Sequence, residues 1–387
     1  MALGNRLRFL TAGESHGPAL MGILEGLPAG LALTKEDIQS QLLRRKKGHG
    51  RGNRQKIEGD EVELAAGVRH GRTLGSPLGL LIRNLDFKNW QGLMGAEPAN
   101  GPVGRRVDVP RPGHADLVGK QKYGFDDMRD ALERSSARET AMRVALASAA
   151  RVLLSRCGVT VASRVVAVGS AGDEQDLPCR IAELNARADA SPVRCTNPAA
   201  EREMMAAIDH AAEHRDTLGG VFEVYAEGLP IGLGSYAQWD RRLEAPLAAA
   251  VMSLNAIKGV EIGLGFEGAR RPGSQAHDEL EPRGKKVAYR TNRSGGIDGG
   301  ISTGQPLVIR AAMKPLATLM RPLDSVDLRT MKPAKAHVER SDACAVPAAA
   351  VIAESLACLV LADALLEKFG GDSMAELLPR VKAWRRG

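Results

Sequence analysis

The residues best suited to chemistry begin with a histidine set between glycines. Gly13-Glu14-Ser15-His16-Gly17 has the form G-x-S-x-G of a hydrolase nucleophile elbow. An elbow serine needs a central strand and an oxyanion loop ahead of it, and only fourteen residues precede Ser15. Gly17-Pro18 also begins an elbow helix poorly. A strand ending at Ala12 would instead let the flanking glycines bring backbone and His16 close to a ligand. Histidine titrates near neutrality, so His16 suits a general acid. A turn carrying a solvated histidine is the other reading this pattern allows.

Cationic segments follow. Arg44-Arg45-Lys46-Lys47-Gly48-His49-Gly50-Arg51-Gly52 is a basic helix end entering a glycine-rich loop. Complementing the helix C-terminus explains some of the charge. An arginine on a flexible backbone also suits phosphate or carboxylate. Arg111-Pro112-Gly113-His114-Ala115-Asp116 adds a cation and a second histidine in a rigid turn. Arg134-Ser135-Ser136-Ala137-Arg138 reads as a helix N-terminus, where free N–H groups favour an anion. Arg340-Ser341-Asp342 repeats the device, with Asp342 either an N-cap or a base. His70 and His337 are weaker candidates. His210 and His214, at helical spacing without an adjoining glutamate, read as an exposed face rather than a metal site. Gly263-Leu264-Gly265-Phe266-Glu267-Gly268 matches G-x-G-x-x-G, but Pro272-Gly273 breaks the helix a dinucleotide site requires.

The elements that must position these groups are mixed. Periodicity and capping predict long helices over Ser136–Arg156, opened by a Ser136/Glu139 capping box, and over Ala343–Lys368, capped by Ser341 or Asp342. Shorter helices are expected at Lys35–Lys46, Ala199–His214 and Glu244–Ala256. Strands are expected at Leu7–Thr11, Leu78–Arg83, Val159–Val168, Gly220–Ala226, Val260–Leu264 and Leu307–Ala312. Surface loops fall near 172–176 and 197–198.

The same patterns recur in order. Glu25-Gly26-Leu27-Pro28 returns as Glu227-Gly228-Leu229-Pro230, and Thr73-Leu74-Gly75-Ser76-Pro77-Leu78 resembles Ser302-Thr303-Gly304-Gln305-Pro306-Leu307. Arg134-Ser135-Ser136-Ala137 resembles Arg340-Ser341-Asp342-Ala343. An internal duplication and a chance recurrence of turn residues both fit.

Composition narrows the class. A hydrophobic content of 44% with 26% charge is globular. The odd cysteine count without C-x-x-C argues for reduced thiols in a cytosol, against a zinc site or disulfide frame. No charge-free apolar run of about 20 residues would span a bilayer, and no signal peptide is expected. A net charge of +7 points to an anionic partner. Aromatics are 3% of residues, and none lies between Phe9 and Phe87, a stretch that holds the basic run. That leaves no stacking platform for single-stranded nucleic acid and favours an anionic metabolite. The rival is a non-enzymatic anion or RNA binder using the basic loop.

Taken together, the segments resemble chorismate synthase almost end to end. GESHGPALMGILEGLPAG, ERSSARETAMRVALASA and RSDACAVPAAAVIAESLA resemble the family's three signatures. LLRRKKGHGRGNRQKIE, RPGHADL, SLNAIKGVEIG, GGIDGGISTGQP and KPLATL resemble segments between them. The resemblance implies one α+β domain over residues 1–387, with central helices between antiparallel sheets, assembled as a cytoplasmic homotetramer. It implies conversion of 5-enolpyruvylshikimate-3-phosphate to chorismate and phosphate by anti-1,4-elimination, with reduced FMN required.

By motif, His16 resembles the histidine that protonates or hydrogen-bonds the flavin, and His114 the one near the substrate's phosphate or enolpyruvyl end. Asp342 resembles the carboxylate that relays the ring proton. Arg45, Arg51, Arg111, Arg138 and Arg340 resemble the arginines lining the site, with Arg45 and Arg51 also associated with NADPH. Implied FMN contacts are Arg134, Ser135, Ser136, Asn255, Ala256, Gly299, Lys314, Pro315, Leu316, Ala317, Thr318 and Arg340. His49 stands where the family commonly has Tyr, and Asp298 where it commonly has Leu. The absence of a dinucleotide fingerprint favours flavin reduced elsewhere, by a separate reductase, over reduction by NADPH on this chain.

Overall fold

The computed structural model describes residues 6–52, 57–98, 101, 104–173, 175, 177, 179–339 and 341–386. Arg340, and Glu174 and Asp176 of the expected loop, lie outside them. The chain is α+β. It opens with strands β1 (Arg8–Ala12) and β2 (Ala19–Glu25), helix α1 (Lys35–Lys46), strand β3 (Val62–Ala66), a short hairpin β4 (Val68–Arg69) and β5 (Arg72–Thr73), and β6 (Leu78–Arg83). Helices α2 (Arg129–Ser135) and α3 (Thr140–Arg156) follow. Next come β7 (Thr160–Val168), β8 (Ala171–Gly172), α4 (Ile181–Ala190), α5 (Pro198–Glu213), β9 (Gly220–Glu227), α6 (Glu244–Met252) and β10 (Ile257–Ile262). Hairpins β11 (Leu280–Arg283) with β12 (Lys286–Tyr289) and β13 (Ile297–Asp298) with β14 (Ile301–Ser302) precede β15 (Leu307–Met313) and helix α7 (Val346–Phe369).

Two antiparallel sheets result, ordered β1-β2-β6-β3 and β10-β15-β9-β7-β8. In β2 the period of two puts Leu20 and Leu24 inward and Met21 and Ile23 outward. Helix α3 packs on β2 and β6, α7 packs on β7 and β9, and the two helices pack on each other. Gly22 permits the close approach of β2 to α3, since a Cβ there would lie 2.6 Å from Met142 and 2.8 Å from Leu146. Helix α7 is long and apolar enough to cross a membrane by composition, yet its apolar window is wholly inside the protein. Four of the five cysteines are also buried, and all five are free thiols.

The repeated sequence segments occupy matching hydrogen bonds. Thr73 Oγ1 donates to Pro28 O at 2.6 Å and accepts from Leu31 N at 3.0 Å. Ser302 Oγ donates to Pro230 O at 2.7 Å and accepts from Leu233 N at 2.8 Å. Gly26 and Gly228, which end the corresponding strands, both have positive φ, at 97° and 75°.

Several expected boundaries are corrected. Residues 137–139 form a tight 3-10 turn, so α3 begins at Thr140 and the capping box does not close. Ser136 Oγ accepts from Arg138 N at 3.3 Å, while Glu139 pairs with Arg143 at 2.8 Å. A capping box forms instead at Thr34 and Asp37 of α1. Helix α7 begins after Ala345 rather than at Ala343, because the Asp342 carboxylate is engaged elsewhere. Helix α6 stops at Met252, and the turn beyond it takes Ala256 to a φ of 67°. Strand β2 follows Gly17-Pro18 and escaped the sequence reading.

Glu354 of α7 ties the layers together. It accepts from Arg44 at 3.0 and 3.1 Å, Ser163 at 2.7 Å and Asn185 at 2.9 Å, and lies 2.6 Å from Arg151. Burial alone would raise its pKa, but Arg151, Arg44 and Arg194 hold the carboxylate well below the usual range. Glu354→Ala is expected to destabilise the protein by about 3–5 kcal/mol, the cost of breaking a buried ion pair from one side. Denaturant unfolding checks this, and a loss below about 1 kcal/mol, the worth of a surface pair, refutes the role.

Candidate functional site

One cleft of about 1080 Å³ gathers most of the chemistry-bearing residues. It is lined by three histidines (His16, His114 and His337) and by eight Arg and Lys side chains against four carboxylates. Residues from the Gly13 loop, the basic loop, the Arg111 turn, the 3-10 turn before α3, the turn after α6, residues 314–318 and the approach to α7 meet there. The first and last of these segments are more than 300 residues apart in sequence, and the α3–α7 contact brings their helix starts together.

The Gly13 loop is held from below. Ser15 N donates to Glu133 O at 3.0 Å and Ser15 Oγ to Ser136 Oγ at 3.1 Å. His16 Nδ1 lies 2.9 Å from Glu133 Oε2, and its ring stacks on Trp90 with centroids 4.0 Å apart. At the Arg111 turn, Asp116 accepts from His114 Nδ1 at 2.6 Å and from Arg111 Nε at 2.8 Å. Burial would raise Asp116, but hydrogen bonds from Arg111 and His114 keep it well below the usual carboxylate range. Arg111 Nη1 also donates to Thr318 Oγ1 at 2.8 Å, linking this turn to residues 314–318.

The arginines are anchored, not free. Arg45 donates to Thr140 Oγ1 at 3.0 and 3.1 Å and to Ala137 O at 3.1 Å, and pairs with Asp60. Burial lowers its pKa to about 10, against the pull of Asp60. Arg138 pairs with Asp60 and donates to Asn84 Oδ1 at 3.0 and 3.1 Å. Asp342 pairs with Arg51 at 2.7 Å and accepts from Gly52 N at 2.6 Å. It is therefore not the helix N-cap. The beginning of the basic run also faces inward, since Arg44 joins the Glu354 cluster and Arg45 is 4% exposed. These buried cations are withdrawn from any solvated stripe that could track a nucleic-acid backbone.

Of the residues expected at the site, Ser135, Ser136, Asn255, Ala256, Lys314, Leu316, Ala317 and Thr318 also line the cleft, whereas Arg134, Pro315 and Gly299 do not. Arg134 lies in the last turn of α2 rather than opening a helix, and its guanidinium donates to Thr11 O at 2.9 Å and Gly13 O at 3.0 Å. Gly299 turns the β13–β14 hairpin with a φ of 58°. His49 contacts Asp209 at 2.6 Å. Asp298 bonds Tyr289 and helps raise its pKa, after burial. The His210 and His214 rings lie tilted with centroids 4.2 Å apart, and no cluster of three metal-donor residues occurs among the described residues. The G-x-G-x-x-G segment forms only a four-residue helix, Gly265–Gly268.

Sequence reading missed the groups behind the histidines and arginines: Asp60, Trp90, Asp116, Arg129, Glu133 and Glu339. Arg129 and Glu133 sit four apart on α2 and pair at 3.0 Å, a spacing visible in the sequence. Nothing in the sequence pointed Trp90 at His16.

The family model for chorismate synthase matches residues 7–366. A chorismate synthase from Thermobifida fusca (strain YX) is 54% identical over 389 residues, covering 98% of each chain. One from Chlorobaculum tepidum is 52% identical over 387 residues, also covering 98% of each. A crystal structure of a chorismate synthase aligns with a TM-score of 0.78 at 41% identity, covering 98% of both chains.

Glu339 accepts from His337 Nε2 at 3.0 Å. That bond, together with Arg129 and His16 and despite burial, lowers its carboxyl from 4.5 to about 2. A depressed carboxyl contributes stability above its ordinary pKa and loses it as pH falls through the folded value. The stability difference between wild type and Glu339→Gln should therefore shrink as pH drops from 4.5 toward 2. Urea midpoints across that window check it, and a pH-independent difference contradicts it.

Proposed function

The chain belongs to the chorismate synthase family, and we propose from that premise that this cleft is its active site. The family's reaction is the conversion of 5-enolpyruvylshikimate-3-phosphate to chorismate and phosphate, and the chain is a lyase of the shikimate pathway. The observation that carries the site assignment is the convergence of His16, His114, Asp342 and four anchored arginines on one basic cleft.

Reduced FMN fits the residues present. Asn255 Oδ1 and Arg51 Nε are buried in the cleft wall without a hydrogen-bond partner, and such atoms call for a ligand donor and acceptor. The volume of about 1080 Å³ stands at the upper end of the ~300–1000 Å³ usual for ligand sites. Ser135, Ser136, Asn255, Ala256, Lys314, Leu316, Ala317 and Thr318 would hold the flavin. When bound, it supplies electron density that assists departure of phosphate.

The chain's own residues do the rest. Arg45, Arg51, Arg111 and Arg138 meet a substrate carrying two carboxylates and a phosphate. Fixed by carboxylates and hydroxyls behind them, they stabilise charge on the leaving phosphate without reorganising. His16 holds a proton at the nitrogen facing the cleft, and His114 serves the phosphate or enolpyruvyl end. Asp342, beside Arg51, is the carboxylate that handles the ring proton. The burial of Arg45 and the Arg51–Asp342 pair favour substrate over NADPH as the ligand of both arginines. Reducing equivalents then come from a separate flavin reductase.

The family's homotetramer and sandwich also suit this chain, and so does an internal duplication. On the outer face of the first sheet Leu10 is 77% exposed, Met21 51% and Ile23 52%, an apolar surface that assembly would cover. Gly299, outside the cleft of its own chain, would reach a flavin from a neighbouring copy. The matched bonds of Thr73 and Ser302, with sheet orders β1-β2-β6-β3 and β7-β9-β15-β10, support descent from a duplication. Superposition of the two halves tests that reading.

Anaerobic assay with chemically reduced FMN and the phosphorylated substrate should release phosphate without NADPH, and no release overturns the site and cofactor reading. His16→Ala and Asp342→Ala should each lower turnover by ~10²-fold or more, the range for losing an acid–base group. Ser15→Ala should retain activity. Near-normal rates in the first two variants reject their roles.

A further inference from the structure

His16 has more built behind it than a general acid needs for mere attachment. Glu133 accepts from His16 N at 2.8 Å, and its carboxylate oxygens lie 2.9 and 3.0 Å from His16 Nδ1. Arg129 Nη1 donates to the same carboxylate at 3.0 Å. Glu133 is 1% exposed. Burial would raise its pKa, yet the His16 and Arg129 contacts hold it below its ordinary value. An ionised carboxylate only accepts, so the proton between the two groups resides on Nδ1. Nε2 is then the nitrogen left for the cleft.

The surroundings add a charge constraint. Arg129 also reaches Glu339 at 3.4 Å, and Glu339 accepts from His337. Two glutamates thus share one arginine. Arg105 stands 4.5 Å over Trp90, the ring on which His16 stacks. The Asp116 carboxylate holds His114 and Arg111 in the same way on another side of the cleft.

We propose that Glu133 is a positioning residue for the reaction. It fixes His16 with Nδ1 inward and Nε2 toward the cleft, and it stabilises the imidazolium, while Arg129 limits how strongly. The proposal rests on the active-site reading above, and its consequence for turnover is felt only through His16. A purely structural Glu133 would leave the titration of His16 unmoved.

The test is the pH dependence of diethylpyrocarbonate modification of His16, followed by peptide mass spectrometry on the full chain without cofactor. The reagent attacks the unprotonated ring, so the half-modification pH reports protonation of His16. In Glu133→Gln this half-point should fall by ~1 pH unit, the low end for losing an opposite charge. In Arg129→Gln it should rise. Turnover of Glu133→Gln with reduced FMN should drop ~10- to 100-fold with little change in KM, as for an interaction made in the transition state. Shifts of the same sign in both variants, or none in either, overturn the proposal. If Glu133→Gln does not fold, the sign of the Arg129→Gln shift decides alone. Because the modification needs neither flavin nor substrate, its failure is separable from failure of wild type to release phosphate.

Discussion

Concentrated positive charge is the constraint on which this structure turns. Seven arginines and a lysine around one cleft repel one another and would splay outward if left to solvent. The fold answers with carboxylates placed behind them. Asp60, nearly sealed from solvent, takes Arg45 and Arg138, while Asp116 takes Arg111 and Asp342 takes Arg51. Asp60 and Asp342 sit on different segments from the arginines they restrain, so closing those ion pairs and closing the fold are one event. The Glu354 cluster solves the same problem away from the cleft, with Arg44, Arg151 and Arg194 drawn onto one buried carboxylate of α7.

That arrangement has a functional side. A guanidinium held by fixed partners retains charge and direction toward the cleft, and spends little entropy when an anion arrives. The histidines are treated alike. A neutral imidazole has two tautomers, and a carboxylate against Nδ1 of His16 and His114, or Nε2 of His337, selects one of them. Local geometry therefore sets both where positive charge sits and which ring nitrogen faces a ligand. Neither is a property of the residue types alone.

The sequence reveals these features unevenly. Helix α1 and strand β6 fall at their expected limits because their periodicity and caps are local. The convergence of His16, His114 and Asp342 was legible only through family resemblance, since it depends on packing between α3 and α7. Ser136 and Asp342 show why the rest was hidden. Both read as caps by residue type, but Ser136 caps only a 3-10 turn and Asp342 turns to Arg51 and Gly52. A cap is assigned by competition among nearby donors, and Arg51 is distant in sequence. Glu133 and Asp116 were overlooked for a related reason, because a carboxylate behind a histidine looks like any helix carboxylate until the loop folds over it.

The contrast between Ser136 and Asp342 also bears on the proposed duplication. They occupy corresponding places in the two repeated segments, and both line the cleft. A duplication would first have produced two similar helix starts facing one site. Such symmetry suits a ligand with matching ends, whereas the family's substrate carries phosphate and enolpyruvyl groups at different positions. Retaining a neutral hydroxyl on one side and placing a carboxylate on the other breaks the symmetry with one residue. On the proposed roles, the hydroxyl side would leave room for an anion beside Arg138, and the carboxylate side would supply a proton acceptor beside Arg51. On this reading the cleft's chemistry came from divergence between two equivalent positions, while the matched turns at Thr73 and Ser302 stayed alike because they carry only backbone.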